Sequence, residues 1–192
     1  MDRNALDRFA AWEQALGTVV AALAATPTLN LNETTKKNLS LIGNVLQGTA
    51  NGLEADIDQD KPLISYGEKI QAAGNSTVVA SILLPLDEKT KSNLNIAGNL
   101  FQATGSALAI PYYLYTDEKQ LSAVLNSYAN FLQTIGNSLQ ALSANLKPEE
   151  KSIRTNFAGN WIQALGAILQ AIAAMITGED DDNVTVKTDN KG

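Results

Sequence analysis

The sequence predicts an all-α chain: six helices arranged as three tandem antiparallel helical hairpins, forming a bundle or a short solenoid. Three observations predict it. A motif, Leu-x-x-x-small-x-x-apolar-Gln-x-x-small, recurs in six registered copies, and its offsets of three and four follow one face of an α-helix. All five prolines read as lying between helices or in first turns, where proline is tolerated. Related connecting segments (Leu31 to Leu39, Leu86 to Leu94 and, more loosely, Leu146 to Ser152) precede the second, fourth and sixth copies, so the copies pair into hairpins.

The first helix carries Leu6, Ala10, Gln14 and Gly17, with Phe9, Trp12 and Leu16 at helical spacing and Glu13 where later copies have an apolar residue. Pro27 separates it from the second, which has Asn32 as N-cap, then Leu39, Gly43, Leu46, Gln47 and Ala50. Gly48 and Gly52 add a second small-residue pair there. The third opens at Pro62 and carries Leu63, Gly67, Ile70, Gln71 and Gly74. Pro85 and an Asp87 cap precede the fourth, with Leu94, Gly98, Phe101, Gln102 and Gly105. Pro111 and the tyrosines Tyr112, Tyr113 and Tyr115 are placed in the next connection. Thr116 caps the fifth, with Leu125, Ala129, Leu132, Gln133 and Gly136. Pro148 opens the sixth, which has Thr155 in place of leucine, then Gly159, Ile162, Gln163 and Gly166. The hairpins span about 3–55, 60–113 and 116–177 of a single domain, 1–177. Residues 178–192, with Glu179 to Asp182, read as an acidic disordered tail.

Nine of the thirteen glycines occupy the motif's small positions. Each costs a helix about 1 kcal/mol relative to alanine, roughly 9 kcal/mol together, which is comparable to the stability of a whole domain. Close helix packing is the expected offset, as in the small-residue seams of membrane helices. Inheritance from an ancestral hairpin is the alternative. The repeated glutamine lies between the small residues, so its amide is expected to lock neighbouring helices in register; amides lining a ligand groove are the functional alternative. Trp12, Leu100, Phe131 and Trp161 share a position and are expected to fill core or interface.

Several chemistries are excluded or unsupported. The chain has no cysteine and no histidine, which removes thiolate chemistry, the commonest general base and the commonest metal ligand. A net charge of −6 argues against nucleic acid as a partner. Asp56, Asp58 and Asp60 alternate as in a calcium loop, but Lys61 and Gly67 stand where that loop needs glycine and glutamate. Glu13 is expected to reach water from a peripheral helix. No cofactor, metal or catalytic residue is expected, and the chain does not read as an enzyme.

Charges avoid the helix centres. Ser92 to Thr116, Gln120 to Leu146 and Thr155 to Gly178 contain none, and each is long enough to cross a bilayer. The same stretches are rich in Asn, Gln, Ser and Gly, and mean hydropathy is near zero. Two readings follow: a soluble bundle whose exposed faces carry amides rather than charges, or a water-soluble form that rearranges and inserts.

The segments Gly159-Asn-Trp-Ile-Gln-Ala-Leu-Gly166 and Gly43-Asn-Val-Leu-Gln47 resemble a family of repetitive proteins of unknown function from Gram-positive bacteria. The resemblance covers most of the chain up to the acidic tail. It implies a repeated helical architecture and brings no activity, cofactor or catalytic residue. The expected role is therefore a structural or protein-interaction module acting on an unidentified protein partner or by self-association. A membrane-active protein that inserts its uncharged helices is the alternative. The start, Met1-Asp2-Arg3-Asn4, lacks the pattern of a secretory signal, so the cytoplasm is the expected location.

Overall fold

The computed structural model describes the backbone of residues 2–115 and 121–189, and side chains as far as residue 177. Among these residues there are six α-helices and no strand. Helix α1 (Arg3–Ala24) gives way to a 3-10 turn, Pro27–Leu29, and Asn30 then takes the left-handed backbone at φ 48°, which asparagine tolerates better than most residues. Helix α2 (Glu33–Ile57) starts where the Asn32 side chain accepts the Thr35 N–H at 2.9 Å. Helix α3 (Pro62–Leu83) has its proline in the first turn, where the missing N–H would have no partner. Helix α4 (Glu88–Tyr115) is capped by Asp87, which accepts the Thr90 N–H at 3.0 Å and the Thr90 hydroxyl at 2.6 Å. These bonds hold the Asp87 carboxyl below its ordinary pKa.

Helix α5 spans Leu121–Ser143; the expected cap Thr116 lies outside the described residues. Helix α6 spans Glu149–Asp189, so its backbone stays helical along most of the stretch expected to be a tail; side chains beyond 177 lie outside the described ones. Pro111 corrects the expectation that every proline sits between helices or in a first turn. It lies inside α4, and Tyr112, Tyr113 and Tyr115 prolong that helix rather than forming a connection. The carbonyl that Pro111 leaves unbonded, that of Ala107, belongs to an exposed residue and is not trapped in the interior.

Each helix packs on its neighbours in sequence, and α6 returns to pack on α1. The helices therefore close into a six-membered ring, which resolves the choice between bundle and solenoid. The closing contact is a small cluster of Ala11 and Ala15 with Ala167, Ala171 and Ala174, flanked by Ile168.

Within the pairs α1/α2, α3/α4 and α5/α6 the helices meet at glycine. Gly17 faces Gly43, Gly67 faces Gly105, Gly74 faces Gly98, Gly136 faces Gly159, and Gly166 faces Ala129. A Cβ built at Gly74 would stand 2.6 Å from the Gly98 carbonyl oxygen, and one at Gly159 would stand 2.7 Å from that of Gly136. These contacts are backbone against backbone, so no side chain can move aside. Gly48 and Gly52 do not belong to these seams. A Cβ at Gly48 would meet Asn75 at 3.3 Å, and one at Gly52 would meet nothing.

The interior inverts the usual polarity. Among the described residues the buried apolar side chains, apart from Ile64 and Val78, are alanines, and the largest fully buried side chains are Gln14, Gln133, Asn51, Asn75, Asn137, Thr18 and Ser106. The large apolar side chains point outward: Phe9 is 59% exposed, Leu16 57%, Phe131 54% and Trp12 47%. One expectation is corrected and another narrowed. The exposed helix faces carry large apolar side chains rather than mainly amides, and of the two places expected for Trp12, Leu100 and Phe131, core or interface, the core is excluded. Trp161 alone of the four is half-buried, donating its indole N–H to the Thr26 hydroxyl at 3.0 Å.

The glycine contacts predict substitutions of opposite sign. Gly105→Ala, whose methyl would overlap the Gly67 carbonyl, should lower stability by about 1–3 kcal/mol. Gly52→Ala, facing open space, should raise it by roughly 0.4–1 kcal/mol. Thermal unfolding followed by circular dichroism checks both, and equal shifts would remove the seam as the reason for glycine.

Candidate functional site

All six motif glutamines, Gln14, Gln47, Gln71, Gln102, Gln133 and Gln163, are buried, as are the nine motif glycines. The two sets belong together. Where paired helices meet at glycine, the glutamine beside each contact projects from a helix held close to its neighbour, and several glutamines reach across the ring. The Gln163 amide on α6 donates to Gln47 on α2 at 2.8 Å and to Gln102 on α4 at 3.2 Å, neither of which adjoins α6. It also accepts from Gln140 at 2.8 Å. Gln14 on α1 donates to Asn51 at 2.7 Å and reaches Gln133 on α5 at 3.4 Å, and Gln133 donates to Gln170 at 2.7 Å. Gln71 accepts from the Ser106 hydroxyl at 3.1 Å. The interhelical lock expected of the glutamines and the amide-lined interior are one arrangement.

Two openings lead toward this amide layer. One, of about 470 Å³, lies where α2, α4 and α6 begin. Glu33, Lys36 and Lys37 line it, together with Asn44, Asn99 and Asn160, each three residues before a motif glutamine. The other, of about 210 Å³, lies where α2 ends and α3 begins and is lined by acids: Asp7, Glu54, Asp58 and Glu68, with Lys61 and Tyr113. At this end Lys61 pairs with Asp58 at 2.7 Å. Arg3 donates to Asp60 at 2.5 Å and also to the Ile57 carbonyl, and its guanidinium holds the Asp60 carboxyl below the ordinary range. Glu54 and Glu68 are 3% and 2% exposed, and both line this opening. The Gln170 amide lies 3.3 Å from Glu54.

Neither glutamate stood out in the sequence, although a signal was there. Glu54 follows Gln47 by seven residues and Glu68 precedes Gln71 by three, which places both on the glutamine face. Glu13 faces outward from the first helix, as expected, and also has a side-chain partner. It is partly buried on an outward face and accepts the Thr49 hydroxyl at 2.9 Å. Among the described residues no group of three or more acidic side chains is arranged to hold a metal ion. Among the described residues the buried polar side chains are amides, hydroxyls and the carboxyls of Glu54, Asp58 and Glu68.

A family model described as "Family of unknown function (DUF6944)" matches residues 5–171. No curated protein and no solved structure matches the chain.

The amide layer yields a prediction. Gln163→Leu deletes three interhelical bonds and leaves Gln47, Gln102 and Gln140 short of partners. It should cost about 1–3 kcal/mol despite the gain in apolarity. A melting temperature equal to or above that of the wild type would remove the lock as a source of stability.

Proposed function

We propose that this chain, which belongs to the DUF6944 family of unknown function, is a membrane-embedded helical barrel whose polar interior forms a passage closed by its glutamine layer. The observation that carries this reading is the inverted polarity: amides inside, large apolar side chains outside. In water such an arrangement forgoes the main driving force of folding, because the side chains with the most apolar surface stay solvated. In a bilayer it gains it, since the apolar belt meets lipid and the buried amides of the glutamine face are turned from it.

Dimensions support the reading. Helix α1 has 22 residues, about 33 Å at 1.5 Å per residue, against a hydrocarbon core of about 30 Å. Ionised residues concentrate at the two ends of the ring. Among the described residues the exceptions on outward faces are Glu13, bonded to Thr49, and Lys69, whose ammonium rests 5.4 Å from the centre of the Tyr66 ring. The glycine seams are also of the kind by which helices associate in lipid. Among the described residues one helix, over Glu149–Thr177, is by length and composition apolar enough to cross a membrane, with a mean hydropathy of 1.4 in an 18-residue window. The other helices average lower because one face of each is given to amides, which is what a polar interior requires. The same apolar belt would serve a structural or protein-interaction module if protein covered it.

Flotation separates these uses. Purified protein should rise with liposomes through a density gradient. The variant with Leu16→Glu and Phe131→Glu should stay below, since each charge costs about 2.5–3.5 kcal/mol near a bilayer centre. Wild-type protein that remains in the aqueous fraction as a defined oligomer would overturn the membrane reading in favour of assembly through the belt.

A further inference from the structure

We propose that the buried carboxyl pair Glu54–Glu68, at the inner end of the smaller opening, is an exchange site where a monovalent cation replaces a shared proton. The inference deepens the reading of the interior as a polar passage by assigning what one of its mouths binds. Four observations carry it. First, the two side chains come from neighbouring helices, α2 and α3, and line one cavity while almost fully buried, where two like charges taken out of water favour keeping one proton on the pair. Second, Glu68 lines the 210 Å³ cavity with its Oε2 buried and without a partner, so a ligating oxygen is available. Third, the cavity is acidic: Asp7 of α1 and Asp58 also line it, and its one basic residue, Lys61, is held by Asp58 at 2.7 Å. Fourth, among the described residues the other walls carry no charged side chain. Helix α4 contributes Tyr112 and Tyr113, α5 contributes Ser122 and Asn126, and α6 contributes Gln170.

The exchange balances. With one proton the pair carries a charge of −1; when a monovalent cation enters, that proton leaves to solvent in the cavity, and two carboxylates with one cation again carry −1. No redox partner or group transfer is involved. A divalent ion would change the site's charge, and the described side chains do not provide the third carboxylate it would favour. The site's oxygen donors suit an alkali cation, and an anion meets repulsion from the acidic wall.

The test uses the full chain in detergent micelles, in weak buffer at constant ionic strength. KCl or NaCl is added in place of N-methylglucamine chloride, and the released protons are counted. The expected result is a saturable release approaching one proton per chain, with an apparent Kd that rises tenfold for each unit fall in pH where the pair is protonated. Release should be lost in the variant Glu54→Gln with Glu68→Gln and kept in Glu33→Gln at the opposite mouth. Circular dichroism verifies that each variant is folded, and if the double variant is not, the pH dependence of the wild-type Kd decides. No release, equal release with N-methylglucamine, or a Kd indifferent to pH would overturn the site. Because the assay needs no bilayer, its failure is distinct from a failure to float with liposomes.

Discussion

Gln163 bonds to glutamines on α2, α4 and α5, and only the last of these adjoins its own helix. One side chain thus fixes the rotation of four helices about their axes, because turning any of them would leave a buried amide without a partner in a region of low dielectric. The Gln14, Asn51, Gln133 and Gln170 set does the same toward the other mouth. Amides are short-ranged links, so they can meet across a ring of six helices only if the ring is narrow. The glycines supply that narrowness: paired backbones touch directly where any other residue would hold them apart. Glycine's helix penalty and the polar interior are two sides of one constraint.

The same constraint decides the exterior. With the glutamine face turned inward, the residue two positions earlier is carried about 200° around the helix and emerges on the outside. That is where Trp12, Leu100 and Phe131 stand. The apolar belt is therefore a geometric consequence of the interior. It also moves the source of stability: alanine, which fills most of the buried apolar positions, has little surface to bury, whereas each outward Leu or Phe could contribute about 1.5–3 kcal/mol once removed from water. On the proposed reading lipid removes them all at once, and ionised residues concentrated toward the helix ends suit such an environment.

Much of this was legible in the sequence. The glutamine frame located six helices, Asn32 and Asp87 marked two starts, and Pro62 marked a third. The sign of the pattern was not legible. Periodicity tells which residues share a face, not whether that face looks in or out, so Trp12 could be assigned only to core or interface and not to one of them. The 200° relation between Trp12 and Gln14 was available, but it gives an orientation only once the glutamines are known to face inward. Closure of α6 on α1 was hidden for another reason. It rests on alanines such as Ala11, Ala15, Ala167 and Ala171, which carry no distinctive pattern. Pro111 was misplaced because proline is read as a break, although α4 continues through it on an exposed face. Glu54 and Glu68 were missed because carboxylates are expected on solvated faces, and only the amide lining makes their burial intelligible.

The measurement closest to the central claim is where Trp12 looks when the protein is in a bilayer. With Trp161→Phe, Trp12 is the sole tryptophan, and its fluorescence can be quenched by lipids brominated along the acyl chains or by iodide in the aqueous phase. The inverted barrel predicts strong quenching by the brominated lipids and little by iodide. Quenching by neither would place Trp12 in a protein core, and quenching by iodide alone would place it in water; both would contradict an apolar face turned toward lipid.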